Sequence, residues 1–174
     1  MQKLETLLKA PVLEAYGMTE ASHQMASNPL PEEGERIPGT VGRGSNVDIG
    51  IFDDLGNQME EHQIGEVCIR GKNVTAGYHN RPEANVESFL PNGWFRTGDQ
   101  GVLENGYLRL TGRIKELINR GGEKISPVEL DSVFLEHPLV ASVVVFGVPD
   151  EKYGEEVHAA VICEQFNFFL FEQN

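Results

Sequence analysis

Gly101-Val102-Leu103-Glu104-Asn105-Gly106-Tyr107-Leu108-Arg109-Leu110-Thr111 is the stretch that decides the fold class. Asn-Gly favours the two-residue primed turns, whose twist matches that of antiparallel strands. The residues on either side read as short strands over Gly101–Leu103 and Leu108–Thr111, so the stretch predicts a tight hairpin. Working toward the N-terminus, further strand signals lie over Val47–Phe52 and Glu66–Arg70. Turn clusters such as Asp53-Asp54-Leu55-Gly56-Asn57 separate them. Together these segments predict a small antiparallel sheet or barrel. Asn28–Asn46 is rich in Pro and Gly and predicts irregular chain. Before it, Tyr16–Glu20 predicts a loop, Pro11–Leu13 the start of a strand, and residues 1–10 a helix.

The pattern changes after Arg113. Lys115–Ile125 alternates around Gly121-Gly122, which predicts a two-stranded ribbon. Ser126-Pro127-Val128-Glu129 is a helix start, with Ser as N-cap, Pro at the first helical position and Glu at the third. Val128, Leu130, Val133, Phe134 and Leu135 supply an apolar side, and Pro138 ends the helix. Val140–Val148 and Val157–Cys163 read as buried strands. A second α+β unit is therefore expected to begin near Ile114. The closing run Gln165-Phe166-Asn167-Phe168-Phe169-Leu170-Phe171 is aromatic and uncharged, an aggregation hazard if exposed.

Bulk properties narrow the function. A formal net charge of -13 over 174 residues repels phosphate backbones and anionic lipid heads, which argues against nucleic acid and membrane surfaces as partners. An anionic small molecule stays open, because local backbone donors outweigh global charge. No apolar run is long enough to span a bilayer. Residues 1–10 lack the apolar core and cleavage site of a secretory signal, so a cytosol-like interior is expected. Cys68 and Cys163 each lie in an apolar, strand-like run and read as buried free thiols. The five histidines show no metal-ligand spacing.

Four clusters fit one theme, the holding of a nucleotide. In Tyr16-Gly17-Met18-Thr19-Glu20, an aromatic face suits stacking on adenine, and Gly permits close backbone approach. The Thr hydroxyl suits a phosphate oxygen, and the carboxylate suits Mg²⁺. In Gly93-Trp94-Phe95-Arg96-Thr97-Gly98-Asp99, a carboxylate after a Gly turn suits both hydroxyls of a ribose. In Gly112-Arg113-Ile114-Lys115-Glu116, Arg113 suits ribose or phosphate oxygens. In Arg120-Gly121-Gly122-Glu123-Lys124-Ile125-Ser126-Pro127-Val128-Glu129, paired glycines permit a tight backbone beside a ligand. Taken singly, each has an ordinary structural reading: a turn, a strand end, a basic edge strand, a hairpin.

In this order and over this span, the four clusters resemble the adenylate-forming superfamily of acyl-CoA synthetases, luciferases and peptide-synthetase adenylation domains. The likeness runs from about Val12 to Ile162. It includes Gly39-Thr40-Val41-Gly42, Gly65-Glu66-Val67-Cys68-Ile69-Arg70-Gly71 and Gly77-Tyr78. The resemblance implies a mixed α/β fold: the C-terminal part of the large adenylate-forming domain over residues 1–112, with its antiparallel sheet or small β-barrel, then a hinge at 113–115. A truncated α+β lid domain follows at 116–163, and an atypical tail at 164–174. It also implies ATP, Mg²⁺ and CoA as the partners of a carboxylic acid. Tyr16 and Gly17 would hold adenine, Thr19 the α-phosphate and Glu20 the metal. Asp99 and Arg113 would hold ribose, Lys115 would be the hinge, and Gly121 and Gly122 would approach the CoA arm. Thr19, Glu20 and Lys115 are the residues this resemblance places in catalysis.

Glu14-Ala15-Tyr16-Gly17-Met18-Thr19-Glu20-Ala21-Ser22-His23, with Ser27-Asn28-Pro29-Leu30-Pro31, is most similar to the oxalate–CoA ligases of fungi and plants. That likeness makes His23 a residue of the acid pocket. A small dicarboxylate needs a polar pocket end, which His23 supplies, whereas a fatty acid needs an apolar tunnel. The alternatives are a medium- or long-chain acyl substrate, a non-catalytic nucleotide-binding module and a peptide-synthetase domain. Ala15 stands where many family members have Gly. The family's Ser/Thr/Gly-rich phosphate loop and its C-terminal catalytic Lys are not among these residues, so the chain by itself is expected to be inactive. A peroxisomal location is the alternative to the cytosol, since fungal relatives often carry a C-terminal address.

Overall fold

The computed structural model describes residues 1–164, and the aromatic tail from Gln165 lies outside the described residues. The chain packs as two compact units, one spanning Met1–Ile114 and one starting at Lys115.

The first unit opens with helix α1, Gln2–Leu8, which buries none of its residues. Strands β1 (Ala15–Met18), β2 (His23–Ser27) and β3 (Arg43–Gly44) form a three-stranded antiparallel sheet. Strands β4 (Asp48–Phe52), β5 (Gly65–Arg70), β6 (Phe95–Glu104) and β7 (Tyr107–Arg113) form a second, in the order β4-β5-β6-β7. Of sheet and barrel, this is the open sheet, with β4 and β7 at its edges. Its strands are apolar on both faces because both faces are covered. Ile51, Val67 and Leu108 form one buried cluster, and Phe52, Cys68, Leu90 and Trp94 form another. The Phe52 and Trp94 rings lie 5.1 Å apart, tilted against each other. A third cluster of Ala21, Met25, Val47, Ile69 and Phe95 ties the small sheet to the large one.

Asn105 and Gly106 both have positive φ, 53° and 78°, and they close β6 on β7 as the primed turn the sequence predicts. β6 begins at Phe95, six residues before the expected strand. Helix α2, Pro82–Ser88, had no counterpart in the sequence reading. It spans only seven residues and leaves Val86 79% exposed, so it carries no amphipathic signal.

Two expectations near the N-terminus are corrected. Pro11–Leu13 does not start a strand. Pro11 has no N–H, and Val12 turns its backbone to side chains: its N–H donates to Glu5 Oε1 at 3.0 Å, and its carbonyl accepts from Arg36 Nη1 at 3.3 Å. Tyr16–Glu20 is not a loop. Its first three residues are strand, and Thr19–Ala21 forms one turn of 3-10 helix.

In the second unit, Ile114–Glu116 is a 3-10 turn at the boundary. Strands β8 (Ile118–Arg120) and β9 (Glu123–Ile125) form the ribbon around Gly121 and Gly122, whose φ values are 62° and 94°. Helix α3, Pro127–Leu135, starts as its sequence predicts: the Ser126 hydroxyl accepts from the Glu129 N–H at 3.3 Å. Strands β10 (Val140–Asp150) and β11 (Gly154–Cys163) complete a sheet of order β10-β11-β8-β9. Ile118, Val143 and Val145 are its buried residues, with Leu130 of α3 against them.

The apolar side expected of α3 is only partly used. Val128, Val133, Phe134 and Leu135 are 40–59% exposed. At 3.6 residues per turn, Val128 and Leu135 fall on the side away from Leu130. The two cysteines also differ. Cys68 is buried as expected, but Cys163 is exposed, because β11 meets β8 only at Gly154 and its far end pairs with β10 alone.

Candidate nucleotide site

Asp99 is the centre of the polar cluster in the first unit. Between Arg96 and Gln100 the β5–β6 ladder slips: Cys68 faces Arg96, and Glu66 faces Gln100. Thr97, Gly98 and Asp99 bulge out of the ladder. Gly98 takes φ 74° there, a left-handed conformation that costs a glycine little. Two side chains fix the bulge. Glu66 accepts from the Gly98 N–H at 3.2 Å and from Arg96 Nε at 2.8 Å. The Thr97 hydroxyl donates to the Val67 carbonyl at 2.7 Å and accepts from the Asp99 N–H at 3.1 Å. Arg96 is held above its ordinary value, chiefly by its hydrogen bond to Glu66.

Asp99 is 6% exposed and not left alone. Its Oδ2 accepts a hydrogen bond from the Tyr16 hydroxyl, across 83 residues of sequence. Its Oδ1 is paired with Arg113 Nε at 3.1 Å. Arg113 stands directly across from Asp99 in the β6–β7 ladder, with its side chain 65% exposed. A carboxylate has about four lone-pair sites, so Asp99 retains acceptors beyond these two donors. Burial and then the Asp99 hydrogen bond push the Tyr16 phenol well above its ordinary value, so it remains a donor at any physiological pH. Tyr16 also packs against two of the apolar clusters.

The turn after Tyr16 is tightly constrained. Ser22 and His23 have φ 52° and 81°, unusual for residues with side chains, so the chain reverses within Thr19–His23. Met18 and His23 face each other across the hairpin. A Cβ on Gly17 would fall 1.7 Å from the His23 carbonyl oxygen, so only glycine fits there. His23 itself is exposed, with Nδ1 beside Gly17. Thr19 is exposed, and Glu20 is half-buried. Glu20 Oε1 accepts from the Tyr78 hydroxyl at 2.8 Å.

Tyr16, Gly17, Thr19, Glu20, His23, Asp99 and Arg113 all lie in the first unit, and the structure joins Tyr16, Asp99 and Arg113 directly. Lys115, Gly121 and Gly122 lie in the second. Lys115 is exposed on its 3-10 turn. The Gly121 N–H donates to the Tyr153 carbonyl at 2.8 Å, and the Gly122 N–H donates to Asn119 Oδ1 at 3.1 Å. Sequence reasoning gave no role to Glu66, Thr97 or Tyr78. Each sits inside a quoted motif, yet its importance depends on a partner far away in sequence.

Among the described residues, no group of three or more His, Cys, Asp or Glu could hold a metal ion, and no helix is long and apolar enough to cross a membrane. One carboxylate from Glu20 is compatible with magnesium, which usually keeps several waters and takes its remaining ligands from substrate phosphates.

The chain is similar to known proteins. The family described as AMP-binding enzyme matches residues 1–79, and that described as AMP-binding enzyme C-terminal domain matches residues 129–170. The chain is 60% identical over 163 residues to an oxalate–CoA ligase of Arabidopsis thaliana, covering 93% of this chain and 32% of that protein. It is 56% identical over 173 residues to an oxalate–CoA ligase of Saccharomyces cerevisiae, covering 98% and 32%. The chain thus spans about a third of the length of the curated relatives it matches. Among solved structures it is similar to o-succinylbenzoate coenzyme A synthetase from Bacillus subtilis in complex with ATP and magnesium ion, with 38% identity and a TM-score of 0.78, covering 94% of this chain and 34% of that one. Two family matches in chain order, one of them over the Tyr16–Glu20 turn, accompany this degree of identity: the chain belongs to the AMP-binding enzyme family.

Proposed function

We propose that this chain supplies the nucleoside- and acid-holding surface of an AMP-forming acid–CoA ligase whose acid is oxalate. The observation that carries the reading is the joining of three separate motifs at one carboxylate, Tyr16 and Arg113 on Asp99. Tyr16 offers an aromatic body for adenine, with its hydroxyl fixed at one end. Asp99 accepts from the ribose hydroxyls through its remaining lone pairs, and Arg113 orients that carboxylate. Thr19 donates to the α-phosphate. Glu20 holds magnesium, which would offset charge on the phosphates. The identity to oxalate–CoA ligases favours a small dicarboxylate, and exposed His23 beside Gly17 supplies its polar anchor.

In this reading the acid's carboxylate attacks the α-phosphorus of ATP, and pyrophosphate leaves. The CoA thiol then attacks the acyl carbon, and AMP leaves with the bonding pair. Lys115 serves as the hinge between these two half-reactions, and the Gly121–Gly122 turn approaches the CoA arm.

Nucleotide binding is the property to test on this chain. Isothermal titration with AMP should give saturable binding, weakened about tenfold in Asp99→Asn, the loss expected for hydrogen bonds to a charged acceptor. In the presence of AMP, oxalate should bind better than malonate or decanoate, and His23→Ala should weaken oxalate without changing AMP. No AMP binding, or AMP binding indifferent to Asp99→Asn, overturns the nucleotide reading. A preference for decanoate overturns oxalate and favours a fatty acid.

A further inference from the structure

The Thr19–Gln24 turn is strapped from outside by a segment that the proposed function leaves unused, Gly71–Tyr78. The Thr75 N–H donates to the Glu20 carbonyl at 2.7 Å. Asn73 Nδ2 donates to the carbonyls of Ala21 at 3.0 Å and Gln24 at 3.2 Å. The Ser22 hydroxyl donates back to the Asn73 carbonyl at 3.0 Å. At the end of the strap the Tyr78 hydroxyl donates to Glu20 Oε1 at 2.8 Å. So the backbone of the turn and the side chain of Glu20 are held by the same short segment.

Tyr78 is itself held from behind. Its N–H donates to Asn85 Oδ1 at 2.7 Å, and its carbonyl accepts from Asn85 Nδ2 at 3.0 Å. Asn85 lies on α2. Gly77 takes φ 136°, and a Cβ there would come within 3.0 Å of Asn85 Oδ1. A rigid clamp therefore sets where the phenol stands.

We infer that Tyr78 is a positioning residue for Glu20, which it holds through Oε1 so that Oε2 faces the magnesium–phosphate group. The inference rests on the reading of Glu20 as the metal-holding carboxylate. A glutamate side chain gives up rotamer freedom when it is fixed. Held by Tyr78, Glu20 has already lost much of that freedom before a cation arrives, so less is lost on binding. The phenol also occupies one oxygen and leaves the other to act as the ligand. Asn73 and Thr75 do the same for the backbone beneath it.

The test is titration of the chain with magnesium at fixed ATP, alongside AMP binding without magnesium. Tyr78→Phe keeps the ring and removes only the hydroxyl. It should raise the magnesium needed for half-saturation at least about tenfold, the worth of one hydrogen bond to a charged group, and leave AMP affinity within about twofold. Glu20→Gln should raise it at least as much, and Tyr78→Phe should add nothing in the Glu20→Gln background. If Glu20→Gln shifts magnesium dependence and Tyr78→Phe does not, Tyr78 has no positioning role, and the reading of Glu20 stands. If Tyr78→Phe weakens AMP and magnesium–ATP equally, its role is structural, and the inference fails. If Glu20→Gln changes nothing, the metal reading of Glu20 fails, and the inference falls with it.

Discussion

The two units spend similar residues differently. The first places its Val, Ile and aromatic side chains in three buried clusters on both faces of one sheet, with Phe52, Phe95, Ile51, Ile69 and Leu108 at 0–2% exposure. The second has strands just as rich in valine, yet buries only Ile118, Val143 and Val145. On the opposite face of its β10–β11 ribbon, Val144, Phe146 and Ile162 are 58%, 43% and 65% exposed. A strand alternates its side chains between faces, so β10 places every second residue away from α3 whatever its chemistry. The contrast shows that hydrophobic composition does not report burial. A covered second face does, and within the units as described only the first unit has one. The candidate site sits on the better-packed unit, where a bulge can be held in place without distorting its neighbours.

The cysteines offer the largest effect with which to break this contrast. Cys68 is buried, and burial followed by the nearby Glu66 pushes its thiol up to about 12. Cys163 is exposed. The thiolate is the reacting form, so Cys68 should label with maleimide about a thousandfold more slowly than an ordinary thiol from ionisation alone, and more slowly still from inaccessibility. Mass spectrometry of a labelling time course reads this directly. Comparable native rates at the two sites would overturn the packing described for β5.

Core truncation comes next. Phe52→Ala removes a ring that packs on Trp94 and should cost the first unit about 3–5 kcal/mol. Val145→Ala removes two methyl groups from the second unit and should cost about 2 kcal/mol. Hydrogen exchange resolved by segment assigns each loss to its unit. If the losses are equal, or appear in the other unit, the core assignments are wrong.

The smallest effect is electrostatic. Arg120 Nε and Nη2 each lie 3.1 Å from a Glu156 oxygen. The Arg120 hydrogen bond is the leading cause that holds Glu156 below its ordinary value of 4.5. A depressed carboxylate contributes stability above its unfolded pKa, and that contribution is lost as pH falls through the folded value. The second unit should therefore weaken as pH drops below about 4.5, and Glu156→Gln should flatten that part of the profile. Both side chains are half-exposed, so about 1 M salt, with a Debye length of about 3 Å, should shrink the difference. Stability in the second unit that is flat with pH in the unmodified chain would mean the pair is not formed in solution.

Much of the fold was legible because its signals are local. Asn105-Gly106, Gly121-Gly122 and Ser126-Pro127 act through their own backbone preferences, and each forms the turn or cap it predicts. The missed elements lack such signals. Helix α2 is too short and too exposed to show a period. The strand character of Tyr16–Met18 comes from pairing with residues 23–26, which a local reading takes for a loop. Exposure of Cys163 depends on how far along β11 its neighbour β8 reaches.

The same division holds in the site. The sequence by itself determined which residues were candidates, since Tyr, Thr, Glu, Asp and Arg at those spacings each bring a fixed chemistry. Only the tertiary structure decided which of them meet. With a two-residue turn at Asn105-Gly106, an unbroken ladder would set Asp99 opposite Gly112. A register shift between Gln100 and Gly101, beside which Thr111 Oγ1 donates to Gln100 Oε1 at 2.9 Å, moves the pairing by one and sets Asp99 opposite Arg113. A shift of one residue exchanges the faces of a strand, so that bulge turns a basic edge residue into the partner of a buried carboxylate. Neither the bulge nor the hydrogen bond from Tyr16 has a local signature, because each exists only once residues far apart in the chain have been packed together.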